Sequence, residues 1–152
     1  MATDGSMLFR RTFQITGSDF QNAGSVSKEI KKTLKQLSID GELIWRVMIV
    51  SYEAEMNVVL YAHECTVTLE ISPTAIHLVF DDRGPGIPDV PLAMTEGYST
   101  ATREMRERGF GAGLGLPNIK KTCDQLEVTS TVGVGTKLDI RIIIPGVVSK
   151  AA

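Results

Sequence analysis

The chain has 152 residues, 43% hydrophobic and 22% charged, with a formal net charge of −2. Those values fit one packed domain and argue against an unfolded chain or an extended basic surface for nucleic acid. No apolar run approaches the ~20 residues that a membrane helix needs, and the N-terminus lacks the basic-then-apolar order of a signal peptide, so a cytoplasmic protein with no membrane and no nucleic-acid partner is expected.

Residues 1–7 (MATDGSM) read as a disordered or tag-like end, residues 8–146 as a single domain and residues 147–152 as a tail. Leu8 to Ile15 is rich in β-forming residues and stops at Thr16, Gly17 and Ser18, which predicts a first strand. Ser18 or Asp19 then caps a helix in which Phe20, Ala23, Val26, Ile30, Leu34 and Leu37 recur at helical spacing. Lys28, Lys31, Lys32 and Lys35 interleave on its other side, either as a solvated face or as a docking surface for an acidic partner.

A second helix starts at Asp40, a good N-cap, and runs through ELIWRVMIVSYEAEMNVVLYAH without Gly or Pro. Its aliphatic density predicts burial, so an inward carboxylate or amide there needs a partner or a purpose. Glu53 and Asn57 stand four apart and share one face, a spacing that an ordinary exposed polar face also produces. His63, at the helix end, fits a dipole partner better than a catalytic group.

Cys65–Ile71 and Ala75–Asp81 alternate around Ser72, Pro73 and Thr74, which predicts a hairpin that delivers Asp81 and Asp82 to the sheet edge. Pro85, Pro88 and Pro91 forbid a long helix next. From Thr95 the text turns polar and charged, as in a loop or short helix able to close over a site. A third helix is predicted over Leu114–Leu126, opening in a Gly-rich turn whose free N–H groups suit an anion. Leu126–Val132 and Thr136–Ile144 form a last hairpin. The fold class that follows is α+β, a two-layer sandwich of a mixed β-sheet with three helices on one face. Cys65 and Cys123 match no metal or redox spacing and read as inert thiols.

Two glycine motifs bracket the charged loop: Asp82, Gly84 and Gly86 form D-x-G-x-G, and Gly111, Gly113 and Gly115 form G-x-G-x-G. Glycine lets a backbone approach another molecule closely, yet either motif alone is equally a tight turn. No Walker A loop, Rossmann fingerprint or protein-kinase H-R-D and D-F-G signature is present. The distinctive feature is the order: Glu53 and Asn57, the first glycine motif, the charged loop, the second glycine motif, then Gly135-Thr136.

That order resembles the GHKL, or Bergerat-fold, ATPases, which include histidine-kinase catalytic domains, gyrase, Hsp90 and MutL. The match spans about residues 8–145. It implies a histidine-kinase-like ATPase fold with ATP and Mg²⁺ as cofactors. On the matching positions, Asp82 would accept a hydrogen bond from the adenine amino group, Asn57 would coordinate Mg²⁺, and Glu53 would be the general base toward an attacking hydroxyl. Gly84, Gly86, Gly111, Gly113 and Gly115 would line the nucleotide, and Thr136 would help hold its adenine end.

VVLYAHE, DDRGPGIPDVPLAMTEGYST and GAGLGLPNIKKTCDQLE carry a narrower similarity, to the anti-sigma-factor serine kinases and among them the RsbT-like switch kinases. It implies a serine/threonine kinase that phosphorylates a STAS-domain, anti-sigma-antagonist-like protein in a partner-switching circuit. A sigma factor or phosphatase regulator as a further partner, and a homodimer, are also compatible with it. The alternative is a nucleotide-dependent anti-sigma factor or switch module that binds without significant phosphotransfer; retention of Glu53 favours the enzyme. The loop TREMRERG departs from the resemblance, with Arg103, Arg106 and Arg108 free to clamp phosphate, contact a partner or stay solvated.

Overall fold

Alternating apolar and polar residues build five strands, seen in a computed structural model that describes residues 9–95 and 115–146. They are β1 (Phe9–Thr16), β2 (Glu64–Ile71), β3 (Ala75–Arg83), β4 (Gln125–Thr131) and β5 (Gly135–Ile143). The helices among these residues are α1 (Ser25–Gln36), α2 (Gly41–Tyr61), the short α3 (Val90–Ala93) and α4 (Gly115–Thr122). The strands lie in the order β1-β2-β3-β5-β4. Each neighbouring pair is antiparallel, so the described sheet is antiparallel throughout where a mixed sheet was expected. The α+β two-layer class stands. The pairs β2–β3 and β4–β5 are hairpins; of the two long connections, β1 reaches its antiparallel neighbour β2 through α1 and α2, and β3 reaches β4, which lies beyond β5, so no parallel neighbour arises.

One face of the sheet is apolar: Val67 and Leu69 of β2, Ile76, Leu78 and Phe80 of β3, and Leu138, Ile140 and Ile142 of β5 are all buried. Period-two alternation puts them on the same side. Against them pack Ile30 and Leu34 of α1, Val47, Val50 and Ala54 of α2, and Ile119 of α4. The opposite face is polar, with His77 set between Glu70 and Asp139. That alternation is what one solvated sheet face requires.

The first helix departs from its expected start. Asp19 does cap, accepting from Asn22 N, but it caps only a 3-10 turn, Phe20–Asn22. Gly24, at φ +93, then breaks the chain before α1 begins at Ser25. Asp40 caps α2 as expected, accepting from Glu42 N at 3.0 Å. At the other end of the chain, α4 stops at Thr122 rather than Leu126, because β4 already begins at Gln125. Arg46 of α2 holds that stop: its guanidinium donates twice to the Thr122 carbonyl, at 3.0 and 2.8 Å, and pairs with Asp124 at 3.2 Å. A cation at a helix C-terminus also complements the helix dipole. Both cysteines are free, and burial pushes their thiols up, so neither offers a thiolate.

Candidate nucleotide site

Helix α2 lies between α1 and α4, and its two flanks carry different polar chemistry. Glu55 faces α1 and is buried. Its carboxylate accepts from Gly24 N, Val26 N, Ser27 N and Ser27 Oγ at 2.7–3.2 Å, so it caps the start of α1 from a neighbouring helix. The inward carboxylate that the buried helix required is therefore Glu55. Sequence reasoning missed it, although its phase, four residues after the buried Ser51, was a readable signal.

The opposite flank carries Glu53 and Asn57, both half-buried and facing α4. Asn118 donates its side-chain amide to Glu53 Oε2 at 3.0 Å, leaving Oε1 with no partner among the described residues. Gly115 opens α4 directly against Asn57: a Cβ there would stand 3.1 Å from Asn57 Oδ1. The start of α4 is thus seated on both residues. Asn118 was not singled out from the sequence.

Asp82 sits near the end of β3, beside β5. Its Oδ1 accepts from Thr136 N at 2.9 Å, and Oδ2 has no partner among the described residues. Burial pushes this carboxyl up, and the Thr136 N–H opposes the shift. A half-buried acceptor with one oxygen already fixed can take one further donor in a defined direction. Behind it, the buried Thr136 shares its hydroxyl with Ser130 Oγ at 2.8 Å, and Ser130 Oγ also accepts from Ile87 N at 2.7 Å. Ser130, unremarked in the sequence, ties the loop after β3 to the last hairpin.

The glycines of the first motif serve the chain's own packing. Gly86, at φ +76, lies against the Thr131 carbonyl so closely that any Cβ would overlap it. Gly84 packs on Ala62 just past α2, with 3.0 Å from its Cβ position to Ala62 Cα, and donates its N–H to Val134 O. Gly135 is held as tightly against the Asp82 carbonyl. Both Gly84 and Gly86 thus meet the chain's own backbone closely. They set the position of the loop that follows Asp82.

The charged loop, including Arg103, Arg106 and Arg108, and Gly111 and Gly113 of the second motif lie outside the described residues. Of the remaining expected site residues, Glu53, Asn57 and Gly115 form one group at the α2–α4 contact. Asp82, Gly84, Gly86 and Thr136 form another at the β3–β5 edge. The path between them is short: Gly84 rests on Ala62 just beyond α2. Among the described residues no three His, Cys, Asp or Glu side chains are grouped to hold a metal. Mg²⁺ needs no such cage when phosphate oxygens and waters complete its shell, so a single Asn57 oxygen and a helix N-terminus fit a Mg²⁺-nucleotide. No helix among the described residues is long and apolar enough to cross a membrane.

Residues 46–146 match the family described as histidine kinase-, DNA gyrase B-, and HSP90-like ATPase. The chain is 27% identical over 128 residues to the serine/threonine-protein kinase RsbT of Bacillus subtilis (strain 168), covering 82% of this chain and 88% of that protein. It is 37% identical over 91 residues to the anti-sigma F factor of Pasteuria penetrans, covering 55% of this chain and 57% of that one. It therefore spans somewhat over half the length of that factor. A chain in the crystal structure of the SiaB-SiaC complex from Pseudomonas aeruginosa shares the fold, with a TM-score of 0.54 at 14% identity over 91% of this chain and 89% of that one. The family match covers both halves of the site, from Arg46 to just past β5, the strand that carries Thr136, and the chain belongs to the histidine kinase-, DNA gyrase B-, and HSP90-like ATPases.

Proposed function

We propose that this protein is a cytoplasmic, Mg²⁺- and ATP-dependent serine/threonine kinase whose acceptor is a STAS-type protein in a partner-switching circuit, with residues 8–146 as its single catalytic domain. The observation that carries the reading is the half-buried Glu53 carboxylate, with Oε2 held by Asn118 and Oε1 without a partner among the described residues, one turn before Asn57. A carboxylate built that way suits a general base. The extent of the similarity to RsbT supports the same reading.

Asp82 Oδ2 would receive the adenine amino group, which selects adenine over guanine because guanine places a carbonyl at that position. Asn57 would contribute its oxygen to Mg²⁺. Gly84, Gly86 and Thr136 would set the shape of the adenine end, with Gly111, Gly113 and Gly115 at the phosphates. ATP, when bound, would supply the terminal phosphoryl group and leave as ADP as its bond to that group breaks, and Mg²⁺ would offset the charge. The chain's own chemical act is proton removal: Glu53 Oε1 takes the proton of the acceptor serine or threonine hydroxyl as that oxygen forms its new bond.

The anti-sigma F factor similarity favours a second reading, a module whose nucleotide tunes affinity for a partner such as a sigma factor or phosphatase regulator, in a homodimer or alone. Transfer of labelled phosphate from ATP to a STAS-type partner decides between them. Glu53→Gln keeps the shape and removes the base, so ATP and partner binding should persist while transfer falls by about 10²–10⁴-fold. Wild-type protein that binds both and transfers nothing would overturn the kinase and leave the binding module.

A further inference from the structure

We propose that the solvent face of the α1–α2 hairpin docks an acidic, amphipathic helical segment of a partner protein, at a surface separate from the nucleotide site. Lys28, Lys31, Lys32 and Lys35 are all exposed and stand at i, i+3, i+4 and i+7 of α1. None has an ion pair among the described residues. Glu29, the one acid in α1, is turned toward β1, where it pairs with Arg11. Among the described residues no acid therefore pairs with the lysine face.

Beside it runs an apolar ridge on α2. Trp45 is 65% exposed and Tyr52 is 46% exposed, with the half-buried Met48 and Ile49 between them. Seven helical residues separate the two rings by about 10 Å along the axis, a two-turn stripe. Ridge and lysines are neighbours: Tyr52 packs beside Gly24 at the start of α1, and Ser51 of α2 donates to Ser27 of α1 at 3.2 Å. Exposed aromatics flanked by unpaired cations match a helix with apolar anchors on one stripe and carboxylates beside them. Glu53 and Asn57 lie on the other flank of α2, so a docked segment would leave the nucleotide side open.

Charge selects among occupants. A second copy related by a two-fold axis through this face would set lysines against lysines. Asp40 and Glu42, exposed at the start of α2 beside Trp45, repel a nucleic-acid backbone or an anionic lipid surface but spare a peptide whose acids meet only α1.

Trp45 is the only tryptophan, so its emission reports the face directly. The probe is a synthetic helical peptide of about four turns, Glu-rich with Leu and Phe at i, i+3 and i+7. The expected result is a saturable change in Trp45 emission at low salt, no change with the same peptide carrying Lys for Glu, and affinity reduced at least about tenfold in K28E/K31E/K32E/K35E. These lysines are exposed and have no ion pair among the described residues, so that variant should keep its circular dichroism; Tyr52→Ala, read by the same emission, independently removes an apolar anchor and should also weaken binding. No saturation by about 1 mM peptide, or equal affinity in the lysine variant, overturns the proposal. So does tighter binding of a DNA duplex or phosphatidylserine vesicles than of the acidic peptide, or a concentration-dependent dimer that buries Trp45. The nucleotide reading stands or falls separately, because none of these measurements uses ATP.

Discussion

The side-chain amide of Asn118 donates to Glu53 Oε2 at 3.0 Å, across the contact between α4 and α2. The bond fixes the carboxylate plane and leaves Oε1 without a partner among the described residues. It also links α4, which begins at Gly115 against Asn57, to the proposed base. Asn118→Ala should therefore lower the phosphotransfer kcat by about tenfold, the worth of one hydrogen bond to a charged group. The KM for ATP should hardly move, because Asp82 and Asn57 are untouched. Steady-state kinetics with labelled ATP gives the split; a rise in KM alone would mean that Asn118 serves nucleotide binding and not the base.

Two carboxylates two residues apart on α2 should give opposite phenotypes. Glu55 accepts four hydrogen bonds at the start of α1 and is 1% exposed, whereas Glu53 is half-buried at the α4 side. Glu55→Ala leaves the N–H groups of Gly24, Val26 and Ser27 without their acceptor and opens a cavity, so it should cost about 3 kcal/mol or more of stability. Glu53→Ala should change stability by less than about 1 kcal/mol. Urea unfolding of the two variants measures the difference. Equal losses would place Glu53 among the structural acids and weaken its role as base.

Much of this was legible in the sequence because period and punctuation agreed. The strand pairs around Pro73 and Gly133, the Asp40 cap and the buried phase of α2 are local signals, and each element formed where its signal lay. Gly24 defeated the expected start of α1: the apolar spacing from Phe20 to Leu37 ran through it, but its left-handed backbone separates a 3-10 turn from the helix. The end of α4 was misplaced because Arg46 and Asp124, 78 residues apart in the chain, set it through a tertiary contact that no local pattern carries. Asp82 and Thr136 were readable as a pair only through the order of motifs. Their hydrogen bond depends on β3 lying next to β5, which is a matter of sheet order.

Gly86 and Gly133 both have φ near +80, yet only one is confined. Gly86 abuts the Thr131 carbonyl, while nothing stands within 4 Å of a Cβ on Gly133. Gly133→Ala should cost only the left-handed backbone penalty of about 1–2 kcal/mol. Gly86→Ala adds a clash with backbone and should lower Tm further, without nucleotide present. Thermal unfolding of the two variants tests this; equal Tm values would mean that the loop after β3 yields freely and that Gly86 is kept for some other reason.

Asp82, the proposed adenine acceptor, carries a stability penalty. Burial raises its carboxyl above the ordinary range, so the folded protein holds this proton more tightly than the unfolded chain does. The resulting contribution is fully present below the unfolded pKa and is lost as pH rises through the raised folded value, so at neutral pH the ionised Asp82 weighs against the fold. Asp82→Asn removes that charge and keeps an oxygen for the Thr136 N–H. The variant's Tm at neutral pH should therefore rise, and its decline from acid to neutral pH should be shallower than in the wild type. ATP affinity should move the other way: a carboxylate hydrogen bond to the adenine amino group is worth about 1.5–3 kcal/mol, so the dissociation constant should increase about tenfold or more. Scanning calorimetry and titration calorimetry on the same preparation read both effects. Equal ATP affinity removes Asp82 from the adenine role, and a lower Tm means that its charged bond to Thr136 outweighs its burial.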